Sequence, residues 1–271
     1  MAGNILIIGL IISEPQLHTP MYLFLGNLSC LDSFIVCTIL PKMLACFLTG
    51  NGNIPLWGCI AQFYISASLA TAQCYLLAIM SYDRYLAICK PLHYASIMNT
   101  KLCIRLAVGS WINGFIGMSV FVILISRLVF CGPQDIDDFF CEITQIVKLS
   151  CSETKTIELV LTIFASINTF LPFTLTVTSY IFIIQNIMRI PSTMGKKKAF
   201  STCSSHLIVV SMFYGTLMLV YVVPKTETLR ALNKIFAVFY TVLTPLLNPM
   251  IYSLRNREMK GALRKFLKKC V

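Results

Sequence analysis

Apolar runs of membrane-spanning length alternate along the chain with short polar or basic connections. Crossing about 30 Å of hydrocarbon takes roughly 20 apolar residues as a helix. Six runs meet that requirement, at residues 21–48, 57–83, 102–125, 157–187, 200–223 and 231–253. A seventh stretch, AGNILIIGLII from Ala2 to Ile12, reaches only about 16 Å and cannot cross alone. It lacks the basic leader and small-residue cleavage site of a signal peptide, so it reads as a first span without its outer half. The pattern predicts an all-α fold: a seven-transmembrane helix bundle with a truncated first helix, residues 1–271 forming a single domain. After the last span, Met259, Leu263, Phe266 and Leu267 recur at helical spacing among lysines and arginines, which predicts a short amphipathic helix over 255–270 on the inner leaflet. The connection RIPSTMGKKK, from Arg189 to Lys198, combines proline, glycine and a basic triplet and reads as a solvated linker.

Composition agrees with the pattern, because 57% hydrophobic and 12% charged residues is too apolar for one water-soluble core. Charge then orients the spans, since Lys and Arg gather on the cytoplasmic side of short loops. One set of connections holds Arg84, Lys90, Lys101, Arg105, Arg189, Lys196, Lys197, Lys198 and the seven bases from Arg255 to Lys269, fifteen of the 22. The other set holds the remaining seven, offset by seven acids. The expectation is a multi-pass plasma-membrane protein with an extracellular N-terminus and a cytoplasmic C-terminus. The net charge of +11 lies along the inner leaflet, where membrane lipid is the partner and no nucleic acid is needed.

Most of the twelve cysteines sit singly in apolar runs as small hydrophobes. Cys59, Cys131, Cys141 and Cys151 fall at or in the outer loops, an oxidising compartment. Four thiols allow three pairings, and the sequence does not choose among them. The spacings do not form a metal knuckle, and no metal or cofactor is expected. Cys270, at the end of the amphipathic segment, is a candidate for acylation.

Polar residues within the spans are the candidate chemistry. Asp32 in GNLSCLDSFIVCTIL is a mid-span carboxylate, costly enough in hydrocarbon to need partners; Asn4, Ser29 and Asn248 lie at similar expected depth. It either stays protonated and joins helices or forms a water or ion site used as a switch. Pro41, Pro172, Pro224, Pro245 and Pro249 remove backbone hydrogen bonds. With Pro245 and Pro249 bracketing Asn248, the seventh helix is expected to be irregular near its inner end. Asp83 and Arg84 close the third span. As sequence neighbours they do not face each other, so one looks into the bundle and the other reaches the interface.

Five motifs, LHTPMYLFLGNLS (17–29), MSYDRYLAICKPLHY (80–94), SY (179–180), KAFSTCSSHL (198–207) and PLLNPMIYSLRN (245–256), occur in an order that closely resembles vertebrate olfactory receptors, within the rhodopsin-like G-protein-coupled receptors. The resemblance implies a receptor for a small volatile odorant that activates a heterotrimeric G protein of the stimulatory, olfactory type, hence cAMP signalling. It implies that Asp83-Arg84-Tyr85 is an inner-end switch, with Asp83 restraining Arg84 at rest and released Arg84 joining Tyr180 and Tyr252 in a G-protein cradle. Lys196, Lys197, Lys198, His206, Asn248 and Pro249 belong to the same activation and coupling set. The implied disulfides are Cys59 to Cys141 and Cys131 to Cys151. Asn4, Asp32, Gln73 and Asn248 form the implied intramembrane polar cluster. Gln73 stands where many relatives carry glutamate, which argues against a cation site beside Asp32.

By analogy with that family, the ligand chamber lies in the outer half of the bundle. Phe63, Ser66, Ala67, Ala70 and Thr71 share one face of the third span, and Tyr214, Leu217, Met218 and Tyr221 one face of the sixth. Phe164 and Asn168 on the fifth span and Thr241 on the seventh complete it. Such a lining is apolar with a few hydroxyls and amides, suited to weakly polar ligands. The alternative for each position is plain helix packing.

Other classes fit less well. A transporter is expected to show repeats or a charged pathway, and only Asp32 is deeply placed. A membrane enzyme needs a catalytic set, and neither H-E-x-x-H nor G-x-S-x-G occurs. A receptor-like product that lacks its N-terminal part and neither reaches the surface nor signals is the closer rival.

Overall fold

The computed structural model describes residues 1–50, 52–131, 135–137, 140–222, 238–255 and 257–270. The start of the expected seventh span, 231–237, lies outside the described residues, as do Pro224 and the side chains of Lys198, Tyr221, Leu267 and Cys270. The elements in chain order are α1 (Ala2–Ser13), a 3₁₀ turn (Pro15–Leu17), α2 (Pro20–Thr49), β1 (Asn53–Pro55), α3 (Leu56–Cys89), α4 (Pro91–Ile97), α5 (Thr100–Ile125), β2 (Asp135–Asp137), α6 (Ile143–Lys148), α7 (Lys155–Arg189), α8 (Thr193–Val222), a π turn (Phe239–Leu243), α9 (Thr244–Arg255) and α10 (Arg257–Cys270). Among the described residues, α2, α3, α5 and α7 are each long and apolar enough to cross a membrane.

Local chemistry sets the helix ends. Pro20 and Pro91 open α2 and α4 at first-turn positions where the missing N–H costs nothing. The Asn99 side chain caps α5 by accepting from Leu102 N at 2.9 Å. Gly50 closes α2 with φ 68°, its N–H donating to the Cys46 carbonyl at 3.0 Å, a left-handed cap that glycine adopts without a Cβ penalty. Hydroxyls inside helices turn back on their own backbone: Ser33 to Ser29 O, Thr38 to Phe34 O and Ser81 to Leu77 O, at 2.8, 2.8 and 2.9 Å. Such groups are satisfied without a partner helix.

α3 is the axis of the bundle, packing against α2, α5, α7 and α8, while α1 packs against α2 and α9. The contact with α5 is close: a Cβ on Gly114 would stand 2.2 Å from the Ser68 carbonyl oxygen. At one end, β1 and β2 form a two-stranded antiparallel sheet with Ile54 opposite Ile136, an addition to the all-helical expectation. The same end carries the bonds Cys59–Cys141 and Cys131–Cys151, with Cα separations of 5.3 and 6.0 Å.

Several expected boundaries move. α3 continues through Asp83 to Cys89, because nothing breaks the helix until Pro91, whose ring disfavours helical backbone at Lys90. The basic linker is mostly helix: α8 starts at Thr193, with Ser192 Oγ accepting from Gly195 N at 3.3 Å. The irregularity in the seventh segment is the π turn at Phe239–Leu243, ahead of Pro245, and α9 runs on as α-helix through Pro249. In α10 part of the apolar face turns into the bundle: Met259 and Ala262 are buried and Leu263 packs against the main core, while Phe266 stays exposed. Tyr22 Oη donates to Glu258 Oε2 at 2.7 Å, and Lys265 Nζ to Gln16 Oε1 at 3.3 Å, tying this helix to α2 and to the turn before it.

Candidate functional site

The basic end of α3 holds the first cluster. Consecutive helix residues point about 100° apart, but the arginine stem is long enough to curl back. Arg84 donates to Asp83 Oδ2 through Nη2, and through Nε at 3.0 Å. Both are buried, at 1% exposure for Asp83 and 8% for Arg84. The expectation that one faces inward and the other the interface is therefore corrected: the two charges meet inside. Tyr94 on α4 completes the arrangement, its hydroxyl donating to Asp83 Oδ1 at 2.8 Å. Burial, and then the adjacent Asp83 carboxylate, hold the Tyr94 phenol well above its ordinary pKa range, so it remains a donor.

Beside this pair, Tyr180 on α7 meets His206 on α8, hydroxyl to Nδ1, at 2.7 Å, with the rings stacked at 5.9 Å. Tyr85 packs against both the main core and the Tyr180 cluster and lies 5.9 Å from the Phe182 ring. Tyr252 on α9 is fully buried. Its hydroxyl and His206 Nε2 have no hydrogen-bond partner among the described residues. Lys196 is half-buried and Lys197 exposed near the start of α8.

The second cluster surrounds Asp32. Its partners are Gln73 Nε2 at 3.1 Å and Asn248 Nδ2 at 2.8 Å, so one carboxylate joins α2, α3 and α9. Of the three partners expected from depth, Asn248 takes this place, and Gln73 joins it from the cluster that the resemblance implied. Asn4 donates instead to the Pro245 carbonyl, at 3.3 Å, the acceptor that Pro249 frees by having no N–H four residues on. Gln73 supplies a donor to Asp32, where a carboxylate at this position would repel it.

The residues assigned to a ligand chamber divide between two apolar cores. Phe63, Ala67 and Phe164 pack in the core beneath the Cys59–Cys141 bond, whereas Tyr214 and Leu217 belong to the main core with Leu69, Ala72 and Cys74. Ser66 and Thr241 are buried, Ala70 and Thr71 half-buried, and Met218 is 39% exposed. Ser66 and Thr71 donate to carbonyls of their own helix at 2.7 and 2.9 Å. Asn168 accepts from Tyr75 Oη and Asn113 Nδ2, both at 3.1 Å, and donates to Phe164 O at 2.9 Å. Its amide thus ties α3, α5 and α7 together, and little of its bonding capacity is left for a ligand.

Sequence reasoning left Tyr94, Tyr75, Asn113 and Gln62 without roles. Tyr94 lay in a quoted motif, where an aromatic one turn beyond a helix-opening proline was the available signal. The partners of Tyr75 and Asn113 depend on helix rotation and had no local signature.

Four membrane-length helices among the described residues, in a bundle stapled by disulfides at one end of α3 and holding a buried ion pair at the other, define a helical membrane protein. The sequence profile of the family described as Olfactory receptor matches residues 1–270. Similar proteins include olfactory receptor 11A1 of Homo sapiens, 47% identical over 98% of this chain and 84% of its own length. Olfactory receptor 2V1 of Mus musculus is 44% identical over 100% and 86%, and olfactory receptor 9G19 of Mus musculus 46% identical over 99% and 88%. The chain belongs to the olfactory receptor family. It is a multi-pass plasma-membrane odorant receptor, of a receptor rather than an enzyme family.

Proposed function

We propose that this receptor binds small, volatile, weakly polar odorants in an outer-half chamber lined from α3, α7, α8 and the π turn, and activates a stimulatory, olfactory-type G protein at its inner end. The N-terminus is extracellular and the C-terminus cytoplasmic, the orientation that puts fifteen of the 22 bases inside. The lining supports weakly polar ligands, because the Ser66 and Thr71 hydroxyls are already engaged by their own helix and no carboxylate or amine belongs to it.

The observation that carries the coupling half is the buried Asp83–Arg84 pair closed by Tyr94. Two charges held out of water are stable only while their geometry lasts, which makes the pair an element with two states. Odorant shifts its equilibrium by binding the conformation in which Arg84 is released. Tyr252 Oη and His206 Nε2, buried and unpartnered among the described residues, are groups that gain partners when the inner ends of α7, α8 and α9 rearrange. Lys196, Lys197 and Lys198 then present positive charge to the G protein.

The test is cAMP accumulation against an odorant panel in cells expressing the chain with a surface epitope tag. Arg84→Ala abolishes the response at unchanged surface signal; cAMP signalling that survives in this variant overturns the coupling assignment.

A further inference from the structure

We propose that Gln62 is a positioning residue that pins the outer loop onto α3 and so sets which odorants the chamber holds; this rests on the chamber reading above. Gln62 lies one turn beyond Cys59 and one turn before Ser66, between the disulfide and the chamber face of α3. Its side chain is buried. Oε1 accepts from the backbone N–H of Cys141 at 2.9 Å, and Nε2 donates to the Thr38 carbonyl of α2 at 3.4 Å. One amide therefore joins α2, α3 and the loop, while the Gln62 carbonyl accepts from Ser66 Oγ at 2.7 Å.

From Cys141 the chain runs directly into α6. Glu142 and Gln145 form a reciprocal capping box that starts α6, and Ile143, Ile146 and Val147 are buried in the same core as Phe63, Ala67 and Phe164. A disulfide limits how far Cys141 can move from Cys59 but leaves rotation about its side-chain bonds. The hydrogen bond to the Cys141 N–H adds the orientation of the peptide, and with it the direction in which the chain enters α6. On the other flank the loop is held by the β1–β2 ladder, and Lys42 Nζ donates to Asn53 O at 2.6 Å. Gln62 is thus a tie on the chamber side, and its loss lets the apolar side of α6 shift against Phe63.

The test compares the full chain with Gln62→Met, which keeps the volume and loses the hydrogen bonds to Cys141 N and Thr38 O, and Gln62→Glu, which keeps the acceptor and, when protonated, the donor. Two readouts are taken: hydrogen exchange of the peptide covering 140–148 without odorant, and relative cAMP potencies across an odorant series of increasing chain length. An unpaired buried N–H corresponds to about tenfold in a local opening equilibrium. The expected result is roughly tenfold faster exchange in Gln62→Met, a changed order of potencies at equal surface expression, and recovery of both in Gln62→Glu. Exchange in wild type as fast as in an exposed loop, or unchanged in Gln62→Met, overturns the pin, and the wild-type measurement decides even if the variant fails to fold. Faster exchange with unaltered relative potencies overturns the selectivity role. A wild-type chain that answers no odorant counts against the chamber reading itself, while the exchange readout still decides the pin.

Discussion

Replacing Asp83 by asparagine removes one charge and almost no volume. The carboxylate it replaces is 1% exposed and accepts from Arg84 Nε at 3.0 Å and Tyr94 Oη at 2.8 Å. The asparagine oxygen can still accept one of these bonds, but the buried guanidinium loses its counter-charge. Breaking a buried pair from one side costs about 3–5 kcal/mol in the conformation that buries it. The resting conformation bears that cost, and one that turns Arg84 toward water escapes most of it. If about 2 kcal/mol falls on the resting state alone, the active-to-resting ratio rises roughly 30-fold. A receptor with about 1% active population at rest then reaches about a quarter. The assay is basal cAMP without odorant, normalised to surface tag. Tyr94→Phe, which removes one hydrogen bond worth about 1 kcal/mol, gives a rise of about fivefold. Unchanged basal cAMP in Asp83→Asn at equal surface level, or a larger effect from Tyr94→Phe, would refute the reasoning.

Gly114→Ala places a Cβ 2.2 Å from the Ser68 carbonyl oxygen, which belongs to backbone and cannot swing aside. We expect a loss of at least about 1–3 kcal/mol, read as a lower Tm in detergent, with Gly109→Ala, whose Cβ meets nothing within 4 Å, as the silent comparison; equal Tm values would contradict the α3–α5 packing. Gln73→Leu removes one of the two amide donors to Asp32 and lowers stability by about 1–3 kcal/mol, checked by the same melting assay, in which an unshifted Tm counts against the cluster. Tyr22→Phe removes the bond to Glu258 and accelerates proteolysis or hydrogen exchange within α10, by an amount equivalent to about 1 kcal/mol; unaltered protection would show that the helix docks without this bond.

Span-length apolar runs made the bundle legible because the bilayer leaves helices few alternatives. Boundaries were less so: Lys196–Lys198 read as linker, yet Ser192 caps a helix there. Asp32 could be recognised as needing partners from depth alone. Which partners it has depends on helix rotation, which brought Gln73 to it and sent Asn4 to the Pro245 carbonyl. Helical geometry separates neighbouring Cα–Cβ vectors and so pointed Asp83 and Arg84 apart; only the family resemblance implied the restraint, which the three-methylene arginine stem with its planar head achieves by reversing that separation. Periodicity grouped the α3 residues proposed for the chamber on one face, but the engagement of Asn168 by Tyr75 and Asn113 belongs to tertiary packing and left no pattern in the chain.

The Asp32–Asn248 bond joins residues 216 apart, and translation at about 5–20 residues per second puts roughly 10–40 s between them. During that interval the acid enters the bilayer with its own helix and meets Gln73, while the second amide has yet to leave the ribosome. A nascent receptor therefore carries a half-satisfied carboxylate in hydrocarbon until its last helix arrives. That transient polarity marks an unfinished chain to any membrane chaperone able to sense it, and insertion of Asn248 removes the mark.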